Sequence, residues 1–61
     1  MKPHELARAM VALGIETDAA MAKRLGVHRS TVGRWLSGAH PIGRAWAALI
    51  RAEARAAGHE I

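Results

Sequence analysis

Apolar residues return along this chain every three or four positions and never settle into the two-residue alternation of a strand. The first run, Leu6, Met10 and Leu13, predicts a helix over Pro3–Leu13. Pro3 suits the first turn, where a missing N–H costs nothing, and Glu5 complements the positive end of the helix dipole. Gly14 stands where a left-handed cap would close that helix. A second helix is predicted over Asp18–Leu25, with Thr17 as N-cap, an apolar face of Met21, Ala22 and Leu25, and Gly26 as its stop. A third, over Arg29–Ser37, buries Val32, Trp35 and Leu36 and ends at Gly38. A fourth begins near Pro41 or Ile42 and runs to Ala57 on a stripe of Trp46, Leu49 and Ile50. After Ile50 this helix has no further large apolar residue. Arg51–Gly58 therefore reads as helix-forming with little to bury, either a frayed end or a surface for another chain. The expected fold is all-α, a compact four-helix bundle forming one domain over residues 1–61.

Composition narrows the chemistry. There is no cysteine, so no disulfide framework and no thiolate metal site. The start of the chain lacks the apolar run of a signal peptide, and no stretch approaches the roughly 20 apolar residues of a membrane span, so a cytoplasmic protein is expected. The net charge is +4, which suits a polyanionic partner. Its distribution says more. The acids are Glu5, Glu16, Asp18, Glu53 and Glu60, and between Asp18 and Glu53 there are only bases: Lys23, Arg24, Arg29, Arg34, Arg44 and Arg51. An inert surface mixes both signs.

The second and third helices meet the demands of a tight crossing. Ala22 is small where two backbones approach, Gly26 tolerates positive φ four residues later, and Val32 supplies a branched apolar residue on the facing helix. This Ala, Gly, Val spacing, within "RLGVHRSTVGRWLSG", resembles the helix-turn-helix of phage repressors and Cro-like regulators. The motif covers about residues 17–38, and weaker likeness extends it to roughly residues 4–50, including the "HPIGRAW" approach to the last helix. The resemblance implies a lambda-repressor-like fold whose third helix enters the major groove of DNA.

With Val32 at the centre of the buried face, a 100° step puts Trp35, Leu36 and His28 within about 60° of it and turns Ser30, Arg34 and Ser37 away. Arg29 lies at the N-terminal end, the end that such helices push deepest. Arg29, Ser30 and Arg34 are thus the expected base readers, since arginine bonds guanine O6 and N7 bidentately. Thr31 and Ser37 can reach base or phosphate, and Gly33 has no side chain to hold the helix off the DNA. Thr17, Lys23, His28, His40 and Arg44 form the expected phosphate-gripping set. Asp18 departs from the family pattern, because many relatives carry there a Gln that touches phosphate, whereas a carboxylate repels it.

Other chemistries have little support. His4, His28, His40 and His59 are dispersed, with no helical metal-site spacing, no nucleophile has an orienting acid, and no Gly-rich phosphate loop is present. Trp35 and Trp46 sit on apolar stripes and read as core, as do Met10 and Met21. No enzyme activity, cofactor, metal, small-molecule ligand or membrane partner is expected. The expected partner is a double-stranded DNA operator, bound by a homodimer, in the manner of a Cro-like repressor. A DNA-binding antitoxin or autoregulator shares the same wording, and a protein-interaction adaptor could use the same fold.

Overall fold

A computed structural model describes residues 1–58, so His59 and Glu60 lie outside the described residues. The chain forms four helices, α1 (Pro3–Ala12), α2 (Asp18–Leu25), α3 (Arg29–Ser37) and α4 (Arg44–Ala56), with no strand among the described residues. α2 and α3 make the most extensive helix–helix contact, while α1 packs against both α3 and α4. Leu6, Met21, Val32 and Ile50, one large side chain from each helix, are fully buried at the centre. Burying a side chain of this kind contributes about 1.5–3 kcal/mol, so these four carry much of what holds so small a domain together.

Helix ends are written in local hydrogen bonds. The Thr17 hydroxyl accepts the N–H of Ala20 at 3.1 Å and starts α2. The Glu5 carboxylate accepts the N–H of Lys2 at 2.9 Å at the start of α1. That bond, with lesser help from Arg51, holds the Glu5 carboxyl below its ordinary range. α2 stops at Gly26, which takes φ 75° and ψ 30°. The N–H of Val27 then reaches the Ala22 carbonyl at 3.0 Å and the N–H of Gly26 reaches that of Lys23 at 3.4 Å. This is the Schellman arrangement, and it satisfies carbonyls that the helix leaves open while turning the chain into α3. The same pair of bonds recurs after α1, from Ile15 to Met10 and from Gly14 to Val11.

α2 and α3 have the bounds expected from the sequence, whereas α1 ends one residue earlier, at Ala12. α4 departs further. It begins at Arg44, because Ile42 is drawn into the core from extended chain and Gly43 then serves as N-cap. Its buried stripe is Ala47, Ile50 and Ala54, while Trp46 is half-buried and Leu49 is 42% exposed. Alanines at both ends of that stripe let α4 lie close to α1. Ala54 has no exposed surface, so the segment after Ile50 is packed through this residue and does not fray there. Two ion pairs flank the seam: Arg24–Glu53 at 2.9 Å joins α2 to α4, and Arg51–Glu5 at 3.6 Å joins α4 to α1.

Two glycines can be told apart by what their missing side chains would meet. A Cβ at Gly26 would meet open space, so the demand there is torsional. Gly33 lies within α3, and a Cβ there would sit 3.5 Å from Asp18 Oδ2, an ordinary contact. Gly26→Ala should therefore lower stability by about 1–2 kcal/mol, the cost of left-handed backbone for a residue with a Cβ. Gly33→Ala should raise it by up to about 1 kcal/mol through helix propensity. Chemical denaturation of both variants checks the pair, and shifts of the same sign would contradict it. Ala22→Leu should overpack the α2–α3 crossing and cost about 1–3 kcal/mol, visible as a lowered melting temperature.

Candidate nucleic-acid interface

α3 is amphipathic across its width. Val32 and Trp35 are buried, Leu36 and Thr31 are half-buried, and Arg29, Ser30, Arg34 and Ser37 are exposed. Gly33 is half-buried, and the space it leaves faces the Asp18 carboxylate on α2. A methyl group would fit there in ordinary contact, so the packing of α2 on α3 does not itself require a glycine at this position.

The ion pairs sort the bases. Of the six in the acid-free middle of the chain, Arg24 and Arg51 are held by Glu53 and Glu5, acids from outside that interval. Lys23, Arg29, Arg34 and Arg44 form no ion pair among the described residues, and all four are exposed. They lie on α2, along α3 and at the first position of α4. Arg44 is placed against the helix dipole there, where a cation is mildly destabilising. Gly43 caps α4 without a side-chain hydrogen bond, so first-turn N–H groups beside Arg44 are available to an anion.

Between α3 and the loop that leads to α4 lies a cavity of about 330 Å³ lined by Thr31, Arg34, Trp35, His40, Pro41, Gly43 and Trp46. The Trp35 and Trp46 rings meet at 5.7 Å with their planes tilted by 52°. Trp35 is core, as its place on the apolar stripe implies. Trp46 is half-buried: it packs against the core, as its place on the stripe implies, and also walls this cavity beside Arg34 and His40. The backbone N–H of His40 reaches back to the Arg34 carbonyl at 3.4 Å and ties the loop to α3.

The hydroxyls and His28 are distributed less simply than helical periodicity suggests. Ser37 donates its hydroxyl proton to the Arg34 carbonyl at 3.1 Å and accepts the Ala39 N–H at 3.3 Å. That proton is engaged in ending α3 and is not free for a phosphate. Thr17, exposed, uses a lone pair to cap α2 and keeps its proton. His28, which helical stepping puts near the buried face, is exposed because it precedes α3 as its N-cap. Its Nδ1 accepts the Ser30 N–H at 3.1 Å and stands 2.8 Å from Ser30 Oγ. Histidine is an uncommon cap, and the signal that could have revealed it is its place one residue before the helix with a serine two residues on.

No group of three histidines or carboxylates among the described residues could hold a metal ion. No described helix is long and apolar enough to cross a membrane. No curated protein and no solved structure matches the chain. The profile of the bacteriophage CI repressor helix-turn-helix domain matches residues 5–44, a span that takes in most of α1, all of α2 and α3, and the first residue of α4. With more than half of its residues inside that match, the chain belongs to the bacteriophage CI repressor helix-turn-helix family, whose members are DNA-binding regulators.

Proposed function

We propose that this domain is a sequence-specific transcriptional regulator of Cro-like repressor type, which occupies a short operator by laying α3 in the major groove. The observation that carries the reading is that four of the six bases in the acid-free middle of the chain, Lys23 on α2, Arg29 and Arg34 on α3 and Arg44 at the start of α4, are exposed and have no ion-pair partner among the described residues. Arg29, Ser30 and Arg34 meet base edges. Thr31, half-buried at the edge of the cavity, meets a base or phosphate. Lys23, His28, His40, Arg44 and the Thr17 hydroxyl grip the phosphates on either side. Asp18 weakens the clamp at the start of α2, and the open first turn of α4 takes a larger share.

One short helix reads few base pairs, so selective binding calls for two copies on a symmetric site. The exposed face of α4 around Leu49 offers an apolar surface for pairing. Removing the chain from Arg51 onward would also take Ala54 out of the core, so Leu49→Lys is the cleaner probe of that surface. Sequences selected from a random duplex pool should contain inverted half-sites centred about 10 bp apart, roughly one helical turn. Leu49→Lys should weaken binding to the paired site more than to one half-site. Recovery of a lone half-site bound by a monomer would refute the symmetric arrangement.

The bases divide by task. Arg34→Ala should cost about 1–3 kcal/mol on the selected operator and relax preference at one position in each half-site. Lys23→Ala should weaken operator and unrelated DNA by similar factors, and make the slope of log affinity against log salt shallower by about 0.9 for each phosphate that is no longer neutralised. Titrations of both variants on both duplexes at several salt concentrations check this. Equal losses on every sequence for Arg34→Ala would mean that α3 grips DNA without reading it, and an unmodified chain that shifts no duplex at low salt would point to a protein-binding adaptor.

A further inference from the structure

His28 does more at the start of α3 than close the helix. Its Nδ1 accepts the Ser30 N–H at 3.1 Å. A neutral imidazole has one bare nitrogen, so this bond assigns the tautomer: Nδ1 is bare and Nε2 carries the proton. The Ser30 hydroxyl stands 2.8 Å from the same Nδ1. Against a bare nitrogen that contact has one sense, with Oγ–H donating to Nδ1 and sharing that nitrogen's single lone pair with the backbone N–H in a three-centre bond. Ser30 then shows the outside two lone pairs and no proton, although an unconstrained serine both donates and accepts.

We propose that His28 sets the hydrogen-bond polarity of Ser30, converting an indiscriminate hydroxyl into an acceptor that selects an exocyclic amino group in the major groove. The inference rests on the reading of α3 as the groove helix with Ser30 at the bases. In that groove adenine N6 and cytosine N4 donate, whereas guanine O6 and N7 and thymine O4 accept. A proton-less Ser30 therefore favours adenine or cytosine at one strand position over guanine or thymine. It also turns Ser30 away from phosphate oxygens, which need a donor. The outward Nε2–H of His28 is free to donate to a phosphate, and such a contact holds the tautomer that keeps Nδ1 bare. His28 is thus a positioning residue whose effect is read at a base it does not touch.

The test is selection from a random duplex pool, with bound sequences read for the unmodified protein, Ser30→Ala, His28→Ala, His28→Asn and Arg34→Ala. The unmodified protein should favour adenine or cytosine in one column of each half-site. Ser30→Ala should flatten that column by about three- to tenfold, the range of one hydrogen bond. His28→Ala should admit guanine and thymine in the same column and leave the Arg34 column intact. His28→Asn should retain the preference, because its side-chain carbonyl is an acceptor and a good cap. A column unchanged in His28→Ala, or an equal loss in every column, overturns the proposal. No changed column in Ser30→Ala overturns it too, while a column flattened in Arg34→Ala would leave the base-reading role of α3 standing. If His28→Ala does not fold, imidazole nitrogen chemical shifts of the unmodified protein decide: a bare Nδ1 supports the proposal, and a neutral ring protonated at Nδ1 overturns it.

Discussion

The left-handed turn at Gly26 is the constraint on which the rest of the molecule depends. It ends α2, passes the Val27 N–H back to Ala22, and sends the chain into α3 within three residues. Ala22 contributes twice: its carbonyl closes the turn, and its small side chain is buried in the core that α2 and α3 share. Because the turn and the crossing use the same residue, the angle at which α3 leaves α2 is tied to the packing beneath it. Val32 and Trp35 then fix the rotation of α3 about its own axis, and this rotation decides which side chains face outward. The outward set is a consequence of the inward one.

Charge and packing divide the work around α4. Partly exposed ion pairs such as Arg24–Glu53 and Arg51–Glu5 contribute on the order of 0–1 kcal/mol each, less in salt. Burial of Ile50 outweighs either pair, so α4 is held chiefly by its apolar stripe. The ion pairs matter more for what they remove from the surface. By occupying Arg24 and Arg51 they leave, of the six bases in the acid-free middle of the chain, only those on α2, on α3 and at the start of α4 without an ion-pair partner among the described residues. Arg44 at the positive end of the α4 dipole shows that this arrangement runs against the stability of the isolated domain. A phosphate at that end would reverse the sign of the interaction.

Caps are also where structure and recognition share atoms. Ser37 commits its proton to ending α3, Thr17 commits a lone pair to starting α2, and Ser30 is engaged by the ring that caps α3. A residue type that looks ready for DNA in a sequence can thus be half-occupied in the fold, and the half that remains determines what it can read.

Much of the architecture was legible in the amino acids. The bounds of α2 and α3, the cap at Thr17, the left-handed glycines and the Ala22, Gly26, Val32 crossing all follow from signals that act within a few residues. Helical periodicity likewise placed Ser30, Arg34 and Ser37 on one exposed side, because a face is defined by neighbours on the same helix, whereas Arg29 is exposed at the N-terminal end of α3. α4 was harder. Its start depended on Ile42 being drawn into the core, and its buried stripe on how closely alanines let it approach α1, neither of which is local to its sequence. The pairing of Arg24 with Glu53 joins residues far apart in the chain, so the separation of bound from unbound bases existed only once the helices had packed. The same holds for Asp18 against Gly33, which local periodicity could not bring together because the two lie on different helices. Sequence determined which elements form, since caps and periodicity are short-range. Tertiary structure decided which of their polar groups remain free, since that depends on partners supplied by other parts of the fold.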